Sequence, residues 1–118
     1  MTETNQYNLE ERTYQFAKEV SIYSKLIPRN STNFEYINQL IRSSGSIGAN
    51  YIEANESLSK RDFVMRIKIC RKEAKESAYW LRLIIETNPE STADKGWLLH
   101  RESIELKKIF SAIIRNST

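Results

Sequence analysis

Apolar and small residues recur at helical spacing along most of this chain. The longest such run follows Ser59, and its members are Phe63, Ile67, Cys70, Ala74, Ser77, Leu81 and Ile84. They are separated alternately by four and three residues, so they fall on one face of an α-helix. Three further segments carry stripes of the same kind. The pattern predicts four amphipathic helices, at about residues 8–27, 33–57, 60–87 and 92–115.

Residues that typically begin or end helices mark the boundaries between these segments. Pro28 is expected to end the first helix, because its ring cannot continue the hydrogen-bonded backbone. Thr32, with a glutamate three residues later, is typical of a capping box that starts the second helix near Asn33. Ser59 is expected to cap the third helix, and Ser91, with an aspartate three residues later, the fourth.

Composition favours helices over strands. The 118 residues include three Gly and two Pro, which is little material for the tight turns of a many-stranded sheet. A hydrophobic content of 40% is enough for one core in a chain of this length. The sequence therefore predicts a single all-α domain over residues 1–118, folded as an antiparallel up-down-up-down four-helix bundle.

The second predicted helix contains a cluster of small residues that includes two glycines. Gly45 and Gly48 each cost a helix about 1 kcal/mol relative to Ala. A phosphate-binding P-loop would need Lys and Ser or Thr after its last glycine, and a KH-type clamp would need flanking strands, and neither is present. Ser44 with Gly48, and Gly45 with Ala49, instead place bare backbone on one helix face. We therefore expect a helix that is kinked near Gly45 and Gly48 and packs closely against a neighbour.

Two polar residues, Asn50 and Glu53, lie near the apolar stripe of the second helix, and we expect both to be partly buried. Buried amides and carboxylates need hydrogen-bond partners. Arg66 or Arg71 of the third helix could supply one. A catalytic carboxylate would need a second acid, a base or a metal ligand nearby, so a structural pair that fixes helix register is the preferred interpretation.

Positive charge is concentrated in the second half of the chain. Residues 1–59 carry five Lys or Arg against seven acidic residues, whereas residues 60–118 carry thirteen against eight. On the third helix, the side opposite the core stripe is expected to present a basic ridge made of Arg61, Lys68, Lys72 and Lys75. Such a ridge can contact nucleic-acid phosphates without reading bases. The alternative is an ordinary solvated helix face.

No arrangement of catalytic residues is apparent. His100 is the single histidine, so no Cys-His, Ser-His-Asp or HExxH arrangement can be built. Acidic residues are scattered over the predicted helix surfaces rather than grouped as metal ligands. Cys70 is the single cysteine and is expected to be a small buried apolar residue. We expect a protein that is not an enzyme and that holds neither a metal nor a cofactor.

Targeting signals are not apparent either. The segment MTETNQYNLEER at the start has neither the basic region nor the apolar region of a signal peptide. No run of about 18 apolar residues, the length that crosses a membrane, occurs in the sequence. We therefore expect a cytoplasmic protein that does not engage a membrane.

Two motifs carry a resemblance to a known family. SIGANYIEA, residues 46–54, resembles the S-I-P-A-N-I-x-E-G signature of the 23S rRNA intervening-sequence protein family, and KEAKESAYWLRLI, residues 72–84, resembles its K-E-A-x-E-x-x-Y-W-L-R-L stretch. Gly48 stands where the family usually has Pro, and Ala54 where it often has Gly. Glycine can preserve a kink in another way than proline does. The residues that match the motifs' distinctive positions are Asn50, Glu53, Glu76, Tyr79, Trp80 and Arg82.

The resemblance implies an antiparallel four-helix bundle that assembles into a ring-like homopentamer. Members are encoded within intervening sequences of bacterial 23S rRNA genes, and a related branch serves diversity-generating retroelements, where a basic pentamer binds nucleic acid and a reverse transcriptase. For most members the biochemical role is not established. The six motif residues are then expected to serve as structural motif or subunit interface. For Tyr79 and Trp80, the alternative is a platform on which nucleobases stack.

Three functional hypotheses follow. The first is a non-enzymatic, homo-oligomeric accessory protein that binds RNA or DNA through the basic ridge. The second is a protein-interaction scaffold for a partner such as a reverse transcriptase, in which the lysines serve only solubility. An enzyme, the third and least favoured hypothesis, would require a deep pocket around Asn50 and Glu53.

Overall fold

The computed structural model describes residues 2–117, with side chains described from residue 9 onward. Within that range the chain forms four α-helices and a single turn of 3₁₀-helix, at Glu90–Thr92. The α-helices are α1 (Thr2–Ser24), α2 (Ser31–Asn55), α3 (Lys60–Glu86) and α4 (Ala93–Asn116). The predicted all-α, antiparallel four-helix bundle is confirmed.

The helices pack in the order in which they occur along the chain. α3 packs extensively against both α2 and α4, while α1 packs against α2 and closes the bundle against α4. The short connections make each helix antiparallel to the one before it. The bundle is elongated, with extents of 45 × 27 × 19 Å. Over residues 2–117, no helix combines the length and the apolar character that crossing a bilayer requires.

The core is built from the predicted stripes. Six of the seven predicted core positions of α3 are buried, and the first of them, Phe63, is partly buried against the core. The largest side chains that are fully buried come from all four helices and include Tyr23, Leu40, Ile47, Ile67, Leu81 and Phe110. Burial of such side chains is the main source of stability in a bundle of this size.

The predicted boundaries of α1 and α2 differ from those in the structure. α1 ends at Ser24, before Pro28, and it begins at Thr2 rather than near residue 8. α2 begins at Ser31, two residues before the predicted start. Its cap is Asn30, whose extended backbone (φ −157°, ψ 171°) lets its side chain accept a 2.8 Å hydrogen bond from the Asn33 N–H. Asn30 therefore caps α2, although Thr32 was predicted to do so. The helix starts just after the residue whose side chain accepts a hydrogen bond from a free N–H of the first turn.

The predicted cap of α3 is present in the structure, whereas the predicted cap of α4 is not. Ser59 caps α3 as predicted, since its hydroxyl accepts a 3.1 Å hydrogen bond from the Asp62 N–H. The prediction that Ser91 caps α4 is wrong, because Ser91 lies inside the 3₁₀ turn that leads into the helix. Thr92 occupies the cap position of α4 without a side-chain hydrogen bond to the helix. Its hydroxyl donates instead to the Pro89 carbonyl at 3.1 Å.

The small residues of α2 lie in an unbroken helix. α2 continues through Gly45 and Gly48, so a bend of its axis there stays a prediction. A Cβ atom placed on Gly48 would lie 3.0 Å from Thr13 Oγ1, so α1 and α2 approach closely at this point. A Cβ placed on Gly45 would meet nothing within 4 Å. The expected close packing is therefore present at Gly48 and is not made by Gly45 inside the protomer.

Candidate nucleic-acid interface

The basic ridge lies on the solvent side of α3. Its four members, Arg61, Lys68, Lys72 and Lys75, are all exposed, and the buried positions of α3 lie on the opposite side. With a rise of 1.5 Å per residue, the ridge extends over about 21 Å along the helix. Among the described side chains, Lys72 is the one member with a carboxylate neighbour, Glu73 Oε2 at 3.9 Å. Their role in binding nucleic acid stays a prediction.

Two of the matching motif residues, Tyr79 and Arg82, extend the outer face of α3 beyond the ridge. The Tyr79 side chain is 60% exposed, so it does not belong to the core of the protomer. Arg82 is also exposed and lies 3.4 Å from Glu86 Oε2, one turn further along. The predicted role of both residues in a subunit interface stays a prediction.

Trp80 is placed differently from its neighbour. It is partly buried, and its ring lies against Tyr36 of α2 with centroids 6.0 Å apart. Its indole Nε1–H donates to Glu76 Oε2 at 3.3 Å. Tyr79 contacts the same indole edge to face, at a centroid distance of 5.0 Å and an interplanar angle of 81°. Trp80 therefore links the core side of α3 to the exposed tyrosine.

A charged cluster near Trp80 joins α2 to α3. Arg42 of α2 donates through Nη2 to Glu76 Oε2, and its Nη1 lies 3.6 Å from Glu73 Oε1. Glu73 is 6% exposed, and its Oε1 has no hydrogen-bond partner among the described residues. The sequence reasoning missed Glu73 as a buried residue. Its spacing from Cys70 and Ser77, three and four residues, was the signal that could have placed it at the edge of the core stripe.

Asn50 pairs with Arg66, one of the two arginines that the sequence offered as partners. Its Oδ1 accepts a 2.9 Å hydrogen bond from Arg66 Nη1 of α3. Its Nδ2 donates to the carbonyl and the hydroxyl of Ser46, both at 2.9 Å. The bond from Arg66 joins α3 to α2, the two bonds to Ser46 lie within α2, and Asn50 is partly buried. That this contact fixes the register of the two helices stays a prediction.

Glu53 is exposed, and the expectation that it is partly buried is wrong. At 100° per residue, it points about 60° further from the core stripe than Asn50 does. It lines an open groove of about 570 Å³ at the α2–α3 connection, together with Glu56, Asp62 and Arg66. Asn50 does not line this groove.

Cys70 and His100, both outside the ridge, have shifted pKa values. Burial raises the pKa of the Cys70 thiol to about 12, and the buried thiol contacts the Ile47 carbonyl at 3.5 Å. Burial, and to a smaller extent the positive charge of Arg82, lower the pKa of His100. No three His, Cys, Asp or Glu side chains in the described part of the chain converge so that they could hold a metal ion.

Comparisons with known proteins agree with this architecture. The family model described as 23S rRNA-intervening sequence protein matches residues 5–112. A crystal structure from Bacteroides thetaiotaomicron, described as a protein with unknown function from the S23 ribosomal protein family, superposes with a TM-score of 0.80 at 32% identity. The match covers 90% of this chain and 97% of that one. No curated protein matches. The resemblance drawn from the two motifs is confirmed.

Proposed function

This chain belongs to the 23S rRNA-intervening sequence protein family, and on that premise we propose that it is a cytoplasmic, non-enzymatic, homo-oligomeric accessory protein that binds nucleic acid. The basic ridge of α3 contacts the phosphate backbone, and it does so without reading bases. Binding of this kind is electrostatic and therefore depends strongly on salt concentration.

The observation that carries this proposal is the alignment of three unpaired cations on one face of α3. Arg61, Lys68 and Lys75 have no carboxylate partner among the described side chains, whereas Arg12, Arg42, Arg82 and Lys95 each pair with a glutamate. Unpaired cations in a row of about 21 Å create a positive potential along one face of the bundle. Phosphates that enter this face meet charges that are not already neutralised.

The test reverses two ridge charges and compares the result with a matched control. Lys68→Glu with Lys72→Glu should abolish binding of fluorescent RNA and DNA in an anisotropy titration, while circular dichroism shows unchanged helix content. Lys18→Glu with Lys25→Glu changes the net charge equally, at one exposed position of α1 and one exposed position just after it, and should retain most of the binding. In the wild-type protein, log affinity should fall linearly with log salt. Equal losses in both double variants would reject the ridge as the binding surface.

Self-association is the second part of the proposal, and the outer face of α2 supports it. Phe34, Ile41 and Ile52 are 64%, 45% and 51% exposed and form an apolar strip along this face. Gly45 lies in the same strip with open space beside it, so another helix can approach its backbone closely. We assign this strip to a second copy of the chain. Ile41→Glu should lower the mass measured by light scattering, whereas Glu35→Gln on exposed α2 surface should not.

A protein-interaction scaffold is the second candidate function. It is supported by exposed apolar side chains on α4, where Trp97 and Leu98 are 40% and 58% exposed. A partner such as a reverse transcriptase would then dock on the oligomer. Under this hypothesis, Trp80→Ala or Arg82→Ala weakens assembly or capture of the partner. Charge reversal on the ridge changes neither.

A further inference from the structure

We propose that the basic ridge accepts a single nucleic-acid strand, RNA or DNA, in preference to a duplex, and that Tyr79 stacks on one of its bases. This inference rests on the proposed function and specifies its ligand. Three observations support it: the position of Tyr79 relative to the lysines, its exposure on a fixed support, and the distribution of charge around it.

Tyr79 continues the line of the ridge. It follows Lys75 by four residues and Lys72 by seven, so at 100° per residue it lies within about 40° of both around the helix axis. Along the axis it lies about 6 Å beyond Lys75 and about 10 Å beyond Lys72. A strand whose phosphates contact the lysines therefore passes directly beside the tyrosine ring.

The ring is accessible and supported. Tyr79 is 60% exposed, yet it packs edge to face with Trp80. Trp80 is held in turn by its ring contact with Tyr36 and its hydrogen bond to Glu76. An aromatic side chain held in this way loses little conformational freedom when a base stacks on it.

The surface beside Tyr79 differs in composition from the row of lysines. A shallow depression of about 210 Å³ is lined by Tyr79, Arg82, Leu83 and Glu86. Arg82 is paired with Glu86, so Lys75 is the last unpaired cation on this face before Tyr79. Phosphates are therefore attracted to the lysines, while the depression offers an aromatic ring, an apolar wall and polar groups at its edge.

Only an unpaired strand can use both parts of this surface. In a duplex, base faces are free only at the two terminal pairs, so the tyrosine adds little to its binding. In a single strand every base has a free face, and stacking on aromatic side chains adds affinity with little dependence on sequence. Tyr79 thus favours the binding of single strands, whereas the lysines contact the phosphates of single strands and duplexes alike.

The experiment measures anisotropy of three fluorescent probes at one salt concentration: a uridine homopolymer, the corresponding thymidine DNA strand and a blunt DNA duplex. We expect Tyr79→Ala to weaken binding of both single strands about tenfold and to leave duplex binding unchanged. Tyr79→Phe should retain wild-type affinity, because stacking does not need the hydroxyl. Tyr14→Ala removes an equally exposed tyrosine from α1 and should have no effect.

The outcomes separate this inference from the proposed function. If Tyr79→Ala leaves single-strand affinity unchanged, or weakens strands and duplex equally, stacking on Tyr79 is rejected. Sensitivity to reversal of Lys68 and Lys72 would still support the proposed function in that case. If the wild-type protein binds none of the three probes even at low salt, the proposed function and this inference both fail.

Discussion

Asn33 and Asn88 donate hydrogen bonds to each other, at 2.8 and 3.0 Å, and so tie the first turn of α2 to the residue pair that follows α3. Asn33 is 3% exposed and also donates to the Pro28 carbonyl at 2.8 Å. Asn88 donates in addition to the Ile84 carbonyl at 2.9 Å. Two connections at the same end of the bundle are thereby joined through a pair of amide side chains.

Loss of this amide pair should destabilise the bundle. Asn33→Ala leaves the Pro28 carbonyl and the Asn88 amide without their partner, which we expect to lower the free energy of unfolding by about 1–3 kcal/mol. Urea denaturation followed by circular dichroism measures the change. Asn38→Ala, at an exposed position of α2, is the control and should lie within about 0.5 kcal/mol of wild type. Similar values for both variants would mean that the pair contributes little.

Two glycines should respond in opposite directions to alanine. A Cβ on Gly96 would lie 2.5 Å from Ile85 Cγ1 and 2.6 Å from the Tyr23 hydroxyl, so Gly96→Ala should cost about 1–3 kcal/mol. Gly45→Ala meets no atom of the protomer, so it should gain up to about 1 kcal/mol from helix propensity in protein that is not self-associated through the α2 strip. Thermal unfolding of the two variants is the measurement. A loss at Gly45 as well would indicate that a neighbouring subunit occupies the space beside it.

Cys70 should be chemically inert in the folded protein. Because burial raises the pKa of its thiol to about 12, roughly one thiol in ten thousand is ionised at about pH 8, where thiol reagents are used. We expect Ellman's reagent to react with one thiol per chain in denaturant and with almost none in native buffer. A fast reaction of the native protein would contradict the burial of this side chain.

His100 should make stability depend on pH. Its pKa is lowered in the folded state from the ordinary 6.5, so the unfolded chain binds the proton more readily. The contribution of His100 to stability is therefore complete above pH 6.5 and is lost as the pH falls from 6.5 toward the lowered pKa. An NMR titration of this single imidazole measures the pKa directly. His100→Gln should flatten the dependence on pH of the free energy of unfolding, measured by urea denaturation, in that window. An unchanged slope would mean that other groups cause the pH dependence.

Local signals along the chain explain which parts of the fold could be predicted. The α3 stripe and the Ser59 cap depend on residues within one or two turns of each other, so periodicity and capping chemistry were sufficient. The starts of α2 and α4 were wrong because several neighbouring residues could cap and the connecting backbone decided between them. Asn30 is extended at the start of α2, and Glu90–Thr92 forms a 3₁₀ turn before α4.

The candidate site, like the fold, could be predicted from the sequence only in part. The sequence alone determined that a row of four cations lies opposite the core of α3, because the helical period fixes which residues share a face. It could not determine that Arg66 rather than Arg71 reaches Asn50, or that Arg42 is the residue beside Glu73. Those facts depend on how closely and in which register two helices pack.

The sequence by itself thus determined the four helices, their buried faces and the family, because these follow from short-range spacing and from two motifs. Only the tertiary structure decided that Tyr36 of α2 lies against Trp80 and that Gly96 has no room for a methyl group. Each of these facts depends on atoms that a neighbouring helix contributes. The periodicity of a single helix carries no information about those atoms.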